Sequence, residues 1–427
     1  MTEKQSDFTT VLGQISGTPL LIFAICMTGQ TLSNFDQSLF SYAIPGIMVT
    51  FDVGLSAIGG ILSVSFVFAA ITTVTIGVAA DRFGRRRLFI FCLAMSALLV
   101  GVHALAPTII TLTIVRACAF GLSAGILPLI NAYMAEAAPA RVRGVMTGLL
   151  QTGYALGWFL AALIGAPILE AYGWRYIFLP ALAVIPLAFI IARALPESAR
   201  FVAQTNEHVG DKSRVWDLSA WTEKPKVLWE PALRNRTIWC WLLFFFQGGA
   251  YAGTAFYFPT FFSQVHGYTE REAAEIVGLS YGIGAIGYIT VAIVGEFIMT
   301  RRNTVLVCMV VGTAALAGLI WIPQTYSQNV LWFGAMTMTF YASASAMWAL
   351  AAEMFPTRAR ATASGVMLSG VLLSFAVFPL GVAYLVESIS WQTAFTLAAV
   401  PAAAIATLAA AMLPNLKSGL DIDEIAV

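Results

Sequence analysis

Two charged side chains lie deep inside long apolar stretches of the sequence, and their chemistry suits them to move a proton. Asp36 lies in the apolar run 20–48 and Arg116 in the run 108–135. At 1.5 Å per helical residue, Asp36 lies roughly 24 Å from the start of its run and Arg116 roughly 12 Å from the start of its own. Antiparallel runs would bring the two to similar depths. Burial favours the neutral carboxyl and a neighbouring guanidinium favours the carboxylate, so the pair is predicted to load and release a proton.

Both residues also have a structural interpretation. Arg116 can extend its stem so that its charge reaches water at the end of its run. Asp36 can be satisfied by polar neighbours, which are Ser33, Asn34 and Gln37. Four further titratable residues lie near the ends of apolar runs, where solvation at the surface is the expected account. These residues are Glu170, Glu387, His103 and His266.

One charged phrase occurs twice in a chain that carries little charge. "EAAPARVRG" at 136–144 and "EMFPTRARA" at 353–361 repeat Glu, Pro, Arg and Arg at an offset of 217 positions, and "GVAADRFGRRR" at 77–87 is echoed by "GEFIMTRR" at 295–302. The repeats predict a duplicated unit whose charged ends form a gate of ion pairs, although they are also typical of plain topology signals. The predicted gate consists of Gly77, Asp81, Arg82, Arg85, Glu136, Arg141, Arg143, Glu353, Arg358 and Arg360.

The composition indicates a membrane protein. Apolar residues make up 59% of the 427 positions and charged residues only 11%, and the mean hydropathy is +0.82. Continuous apolar runs of about 20 residues are long enough to cross a bilayer as helices, whereas a β-barrel would show short alternating segments. Twelve spans are predicted, at 20–48, 55–80, 87–106, 108–135, 144–168, 175–195, 236–265, 272–299, 303–323, 329–354, 361–386 and 391–413.

The distribution of charge gives an orientation and a division of the chain. With the amino terminus inside the cell, the cytoplasmic loops hold 20 of the 23 Lys and Arg residues, so both termini are predicted to be cytoplasmic. The polar segment 196–235 separates six spans on either side. We therefore expect an all-α membrane protein of twelve transmembrane helices in two pseudo-symmetric six-helix bundles, at 1–195 and 236–427, joined by a cytoplasmic interdomain loop.

Several motifs resemble those of the major facilitator superfamily over essentially the whole chain. Residues 77–86 reproduce its G-x-x-x-D-R-x-G-R-R signature, and "RACAFGLSAGILP" at 116–128 resembles its span 4 signature. "NFDQSLFSYAIPGI", "GWR" at 173–175 and "PESARF" at 196–201 are most similar to the aromatic-acid and metabolite proton symporters. The resemblance implies two parallel halves with a substrate site at their interface near the bilayer midplane. It also implies that a span 1 Asp pairs with a span 4 Arg for proton coupling.

Mid-depth polar and aromatic side chains are the candidates for the substrate site. Aromatic rings in helix bundles also serve as packing, which is the alternative for each of them. "FQGGAYAGTAFYFPTFF" in span 7 is the best candidate stretch because its glycines permit bending. The predicted substrate-binding residues are Gln151, Tyr154, Trp158, Gln247, Tyr251, Tyr257, Tyr341, Ser345 and Trp348, and Tyr281 and Tyr288 lie at similar depth on span 8.

The predicted function is proton-coupled uptake of a small organic acid, with an aromatic carboxylate as the favoured cargo, by alternating access. The alternatives are symport of a neutral sugar or polyol and exchange or export of an organic anion. The spans contain no constellation of catalytic groups, which argues against an enzyme, and segment 196–235 is short for the output domain of a sensor. We expect a monomer of the inner membrane that is driven by the proton gradient, with neither metal nor cofactor. A net charge of +1 argues against nucleic acid as a partner.

Overall fold

The computed structural model describes residues 17–138, 143–197 and 224–416, and every regular element within these ranges is helical. The amino-terminal half (17–197) contains α1 Thr18–Phe51, α2 Leu55–Phe83, α3 Arg85–Val102, α4 Ile109–Ala124, α5 Ile126–Ala137, α6 Arg143–Leu150, α7 Thr152–Tyr172 and α8 Val184–Ala194. The carboxy-terminal half (224–416) contains α9 Pro231–Ala255, α10 Phe258–His266, α11 Glu270–Phe297, α12 Arg301–Trp321, α13 Tyr326–Met336, α14 Ser343–Met354, α15 Thr357–Ser388 and α16 Trp391–Ala411. Single 3-10 segments cover His103–Leu105, Tyr176–Ala183 and Lys224–Trp229.

Local sequence signals mark where these helices begin and end. Hydroxyl side chains cap helix starts by accepting a hydrogen bond from a backbone N–H three residues on, which satisfies a donor that the helix itself cannot. Gly84 lies between α2 and α3 with φ at 92°, a conformation that favours glycine and lets the chain reverse in one residue. The hydroxyl caps are Thr108, Thr269, Thr300, Thr325 and Ser390.

Nine helical stretches within the described residues are long and apolar enough to cross a membrane. The three remaining predicted spans, 20–48, 236–265 and 329–354, are helical too, but they are more polar or interrupted. The number of twelve spans therefore stays a prediction. Helix α1 extends beyond its predicted span at both ends, from Thr18 to Phe51.

Several predicted spans are not single helices. The run 108–135 divides at Gly125, the run 144–168 divides at Gln151, and the run 236–265 divides at Phe256 and Tyr257. Between α13 and α14, Thr337–Tyr341 forms a π-helical turn. Such turns are frequent at functional sites because they rotate the following side chains and free backbone groups.

The two halves share one large hydrophobic core, and a second core belongs to the amino-terminal half. Helices α2 and α15 touch where a Cβ added at Gly59 would lie 3.0 Å from the backbone of Leu380. They diverge toward the other end, where a Cβ added at Gly77 or Gly365 meets nothing within 4 Å. Helices α2 and α15 therefore pack closely at the end near Gly59, and they are separated at the end near Gly77 and Gly365.

We name the two ends by their charged residues. The basic end is the one at which α2 ends and α3 begins, with Arg85 and Arg301. The opposite end carries Glu170, Arg271 and Glu387. The separation of α2 and α15 lies toward the basic end, as the positions of Gly77 and Gly365 show.

Candidate functional site

Asp36 on α1 and Arg116 on α4 form a buried ion pair. Arg116 Nη1 donates a hydrogen bond to Asp36 Oδ1 at 3.1 Å, and the side chains are 1% and 6% exposed for Arg116 and Asp36. The guanidinium carbon lies 4.5 Å from the ring centroid of Phe40 and 5.1 Å from that of Phe120. The aromatic faces therefore add cation–π attraction to the charge pairing.

The contacts of the pair differ from those in both structural interpretations given above. Arg116 is too deeply buried for its charge to reach water. Ser33 bonds to Ser123 and the amide of Asn34 donates to Gln30, so neither side chain satisfies Asp36. Among the described residues, the Arg116 guanidinium is the only hydrogen-bond partner of the carboxylate.

The second carboxylate oxygen faces the interior of the amino-terminal half. Asp36 Oδ2 is buried without a hydrogen-bond partner among the described residues. Asp36 lines a cavity of about 10 Å³ together with Ser96 on α3 and Ala181 on the Tyr176–Ala183 segment. That volume corresponds to about one water molecule, and Ser96 supplies a hydroxyl. The pair is thus enclosed by α1, α3, α4 and the segment before α8.

Aromatic side chains from both halves meet between the bundles and form what we call the aromatic cage. Trp158 stacks on Tyr281 with ring centroids 4.8 Å apart, and Tyr154 meets Tyr251 edge to face at 5.5 Å. A hydrogen bond links two of the rings, because the hydroxyl oxygens of Tyr251 and Tyr281 lie 3.3 Å apart. The cage consists of Tyr154, Trp158, Tyr251, Phe256, Tyr281, Tyr341 and Phe375.

The π-helical turn places one wall of the cage. Tyr341 ends this turn, lies 4.5 Å from Tyr251 between ring centroids, and its hydroxyl lies 3.3 Å from Thr254 Oγ1. The cage still holds polar groups for a ligand. Trp158 Nε1 and the Tyr154 hydroxyl are buried and have no hydrogen-bond partner among the described residues.

The other predicted pocket residues are not all in the cage. Tyr257 is turned into its own half, where its hydroxyl donates to the Pro379 carbonyl at 2.9 Å; the break between α9 and α10 gives it this direction. Trp348 packs edge-on against Phe244 at 4.7 Å. The prediction that both rings line the pocket is not supported by this arrangement. Of the remaining candidates, Gln247, Tyr288 and Ser345 are buried, and Gln151 lies partly exposed at the start of α7.

A row of phenylalanines, which sequence reasoning did not single out, joins the ion pair to the cage. Phe120 beneath Arg116 contacts Phe66 of α2 at 4.8 Å between centroids. Phe66 in turn contacts Phe256 at 5.5 Å and Phe375 at 5.0 Å. Only the aromatic type of these residues, in spans that also hold the pair and the cage, could have signalled them.

A groove leads from the basic end toward the cage. It has a volume of about 550 Å³ and is lined by residues 66–78 of α2 and 365–376 of α15. Its lining is apolar apart from Thr73 and Ser369. Phe66 lies at its inner end, against the cage rings. The volume is within the range of small-molecule pockets, about 300–1,000 Å³.

At the basic end the duplicated phrases hold equivalent ion pairs. Arg85 pairs with Glu136, and Arg301 pairs with Glu353 at 2.7 Å and with Glu296 at 2.5 Å. Arg301 and Glu296 were not predicted, although the repeat places Arg301 216 positions after Arg85. Each pair lies within one half, so these contacts hold the ends of helices of the same bundle together.

The remaining gate candidates are less well defined. Gly77 lines the groove, and Arg82 is exposed, with its guanidinium 5.4 Å from the Phe83 ring. Arg141 lies outside the described residues, as do the side chains of Asp81, Arg143, Arg358 and Arg360. Their predicted place in the gate stays a prediction.

The opposite end carries contacts between the halves in addition to the expected solvation, since the Glu170 side chain is 60% exposed and Glu387 is exposed as well. Glu170 at the end of α7 pairs with Arg271 of α11 at 2.5 Å. Glu387 at the end of α15 accepts the backbone N–H of Ser56 at 2.8 Å. These acids looked isolated in the sequence because their partners lie 101 and 331 positions away.

The expectation of solvation is wrong for His103, whereas the partial exposure of His266 agrees with it. His103 has no exposed surface and stacks on Phe178 at 4.9 Å between centroids, because the segment Tyr176–Ala183 covers the end of α3. His266 is partly buried and stacks on Tyr268 at 5.8 Å. Within the described ranges no cluster of three or more His, Cys, Asp or Glu residues has a metal-holding arrangement.

Comparison with known proteins gives one consistent result. The family model of the Major Facilitator Superfamily matches residues 26–367 of this chain. The chain is 28% identical over 418 residues to the gallate transporter of Pseudomonas putida, covering 91% of each chain. It is 25% identical over 365 residues to the niacin transporter NiaP of Acinetobacter baylyi, covering 79% of this chain and 80% of that one. The inward-open xylose transporter XylE of E. coli shares the fold, with a TM-score of 0.71 and 16% identity over 95% of this chain and 99% of the other.

Proposed function

Since the chain belongs to the Major Facilitator Superfamily and is therefore a multi-pass membrane transporter rather than an enzyme, we propose that it takes up a small aromatic acid together with a proton. The observation that carries this proposal is the placement of a buried Asp36–Arg116 pair one row of rings away from an aromatic cage built by both halves. Because contacts join the proton site to the substrate site, protonation at the first can change the binding of substrate at the second.

The cage supports a flat aromatic cargo. Rings that now stack on each other, such as Trp158 on Tyr281, can instead stack on a ligand ring once the halves separate. Phenolic hydroxyls and the indole N–H of Trp158 are suited to a carboxyl or hydroxyl substituent. Relatives whose names state gallate and niacin carry cargo of this shape.

The charge balance of the cage favours an acid that travels with a proton. Among the described residues, no ring contact of the cage involves a lysine, arginine or histidine. A bare carboxylate in such surroundings is strongly disfavoured, whereas a carboxylate balanced by one bound proton is not. Uptake of a monoanion with one proton moves no net charge.

Proton coupling follows from the difference between the two protonation states of Asp36. When Asp36 is ionised, the guanidinium is fixed against α1; when Asp36 is protonated, the attraction between α1 and α4 weakens. Arg116 rests on Phe120, and Phe120 touches Phe66, which borders the cage. A displaced guanidinium would therefore disturb the packing of Phe66 against the rings of the cage.

We assign the basic end to the cytoplasm, because loops rich in Lys and Arg are retained there. The structure is then closed to the outside by the Glu170–Arg271 and Glu387–Ser56 contacts, and it opens inward through the groove between α2 and α15. We expect a monomer in the cell membrane, with both termini cytoplasmic, driven by the proton gradient alone.

Uptake by purified protein in liposomes tests the proposal. With a pH gradient imposed, acidic outside, labelled gallate or nicotinate should accumulate, and no current should appear on a solid-supported membrane at one proton per monoanion. A substrate-induced current with a neutral sugar or polyol would support the alternative symport instead. Failure of both acids and sugars to accumulate under a pH gradient would contradict proton-coupled uptake.

A further inference from the structure

His103 is a buried polar residue with no role in the mechanism above. It ends α3, has no exposed surface, and lies between the ring of Phe178 and that of Phe40, with centroid distances of 4.9 Å and 6.3 Å. A buried polar ring normally has all of its hydrogen-bonding groups satisfied. His103 does not, since its Nε2 has no partner among the described residues.

The backbone fixes which nitrogen carries the proton. His103 Nδ1 lies 2.9 Å from the carbonyl oxygen of Leu99 and 3.0 Å from that of Val100. Carbonyl oxygens only accept, so Nδ1 must be the protonated nitrogen of the neutral ring. Nε2 then presents a lone pair, which makes it a hydrogen-bond acceptor in need of a donor.

An unused donor lies in the same compartment. Arg116 Nε is buried and also has no partner among the described residues. Arg116 and His103 both pack on Phe40, since the guanidinium carbon lies 4.5 Å from the centroid of that ring and the imidazole centroid lies 6.3 Å from it. The guanidinium carries five N–H donors, so it can serve an acceptor other than Asp36.

We propose that His103 Nε2 is a second hydrogen-bond acceptor for the Arg116 guanidinium. It accepts this hydrogen bond when Asp36 takes up a proton. This inference rests on the proposed proton coupling at Asp36. A protonated Asp36 no longer balances the guanidinium, and a buried guanidinium without an acceptor is strongly disfavoured. A neutral imidazole that accepts a hydrogen bond from the guanidinium lowers the free energy of that state and so makes protonation of Asp36 easier.

The charges around His103 fit a neutral ring with this role. Arg116 on α4 and Asp36 on α1 are the charged groups on the side of Phe40. On the other side, the guanidinium of Arg175 donates to the carbonyl oxygens of Ala104 and Ala106, just after His103. A positive charge on a fully buried imidazole in the same compartment as the Arg116 guanidinium is disfavoured. His103 therefore acts as a positioning residue that accepts, and not as a carrier of the transported proton.

Two substitutions separate the acceptor from the packing. His103→Phe keeps a ring against Phe178 but removes Nε2, and His103→Leu is a second variant without an acceptor. His103→Gln keeps an acceptor oxygen close to the position of Nε2. The protonated carboxyl of Asp36 is followed by infrared titration of the detergent-purified protein, as the C=O band that Asp36→Asn lacks, and folding is checked by size-exclusion chromatography.

The expected result is that His103→Phe and His103→Leu move the midpoint of the Asp36 titration by about one pH unit to the acid side, while His103→Gln stays close to the wild type. The inference is overturned if the acceptor-free variants titrate like the wild type, if Gln shifts as far as Phe, or if Asp36 does not titrate at all. Because the titration needs no substrate, it is independent of uptake of gallate or nicotinate, whose failure would count against the transport function instead.

Discussion

Trp158 of the amino-terminal half stacks on Tyr281 of the carboxy-terminal half, with ring centroids 4.8 Å apart and planes inclined by only 14°. The two rings close the space between the bundles from both sides. A flat ligand that enters this space must replace the stacking that it breaks, so affinity depends on the rings that it meets.

Trp158→Phe should therefore raise the KM for an aromatic acid by about three- to tenfold, because the smaller ring and the lost indole N–H weaken contact with the ligand. The matched control is Trp348→Phe, since Trp348 packs on Phe244 outside the cage. Initial rates of uptake into liposomes give both values. An equal change in the two variants would place the substrate elsewhere.

Asp36→Asn should abolish uphill uptake and spare substrate exchange, because asparagine imitates the protonated carboxyl and cannot release a proton. A gradient of one pH unit supports about tenfold accumulation in the wild type, since about 1.4 kcal/mol corresponds to a factor of ten. The variant should equilibrate without accumulating. Asp52→Asn, at an exposed residue after α1, is the control and should behave as the wild type. Gradient-driven accumulation by Asp36→Asn would remove Asp36 from the coupling mechanism.

Gly278→Ala should drive the protein away from the closed form of the opposite end. A Cβ at Gly278 would lie 2.0 Å from the Cβ of Ala162 on α7, so the two halves can accept it only by separating there. Gly381→Ala is the matched control, because a Cβ at that position meets nothing within 4 Å. Spin labels at Tyr172 and Ser327 should report longer distances in the first variant alone. Unchanged distances would show that α7 and α11 do not move apart.

Arg301→Met should lower the melting temperature of the purified protein by several degrees. Arg301 is 10% exposed and pairs with both Glu296 and Glu353, so its loss removes one ion pair from each of two partly buried carboxylates, at a cost of about 3 kcal/mol. Arg87→Met, at an exposed position beside the equivalent arginine of the first half, should change the melting temperature by about a degree at most. Similar losses in both variants would mean that positive charge at the basic end matters more than this ion pair.

Signals that are local in the sequence led to correct expectations. Apolar runs with few charges specify membrane helices whatever their neighbours, because the bilayer leaves the backbone no other way to satisfy its polar groups. The charged phrases repeat along the chain, and in the structure Arg85 and Arg301 hold equivalent glutamates. Asp36 and Arg116 stood out because a charge at that depth needs a partner, and each is the other's partner.

The direction of a side chain at a helix break could not be predicted from the sequence, because it depends on where the helix is interrupted and how it packs. A single helical residue changes the direction of a side chain by about 100°, so the break at Phe256 and Tyr257 was enough to turn Tyr257 out of the cage. The π-helical turn that carries Tyr341 has no comparable signature.

By itself, the sequence determined that this chain crosses a membrane as duplicated helical units with an acid and an arginine deep inside two of the spans, since hydropathy and charge act residue by residue. Only the tertiary structure decided which rings face each other, that His103 is covered by the segment before α8, and that Glu170 and Glu387 join the two halves. These contacts link residues far apart in the chain, and the packing of whole helices fixes them rather than any local preference.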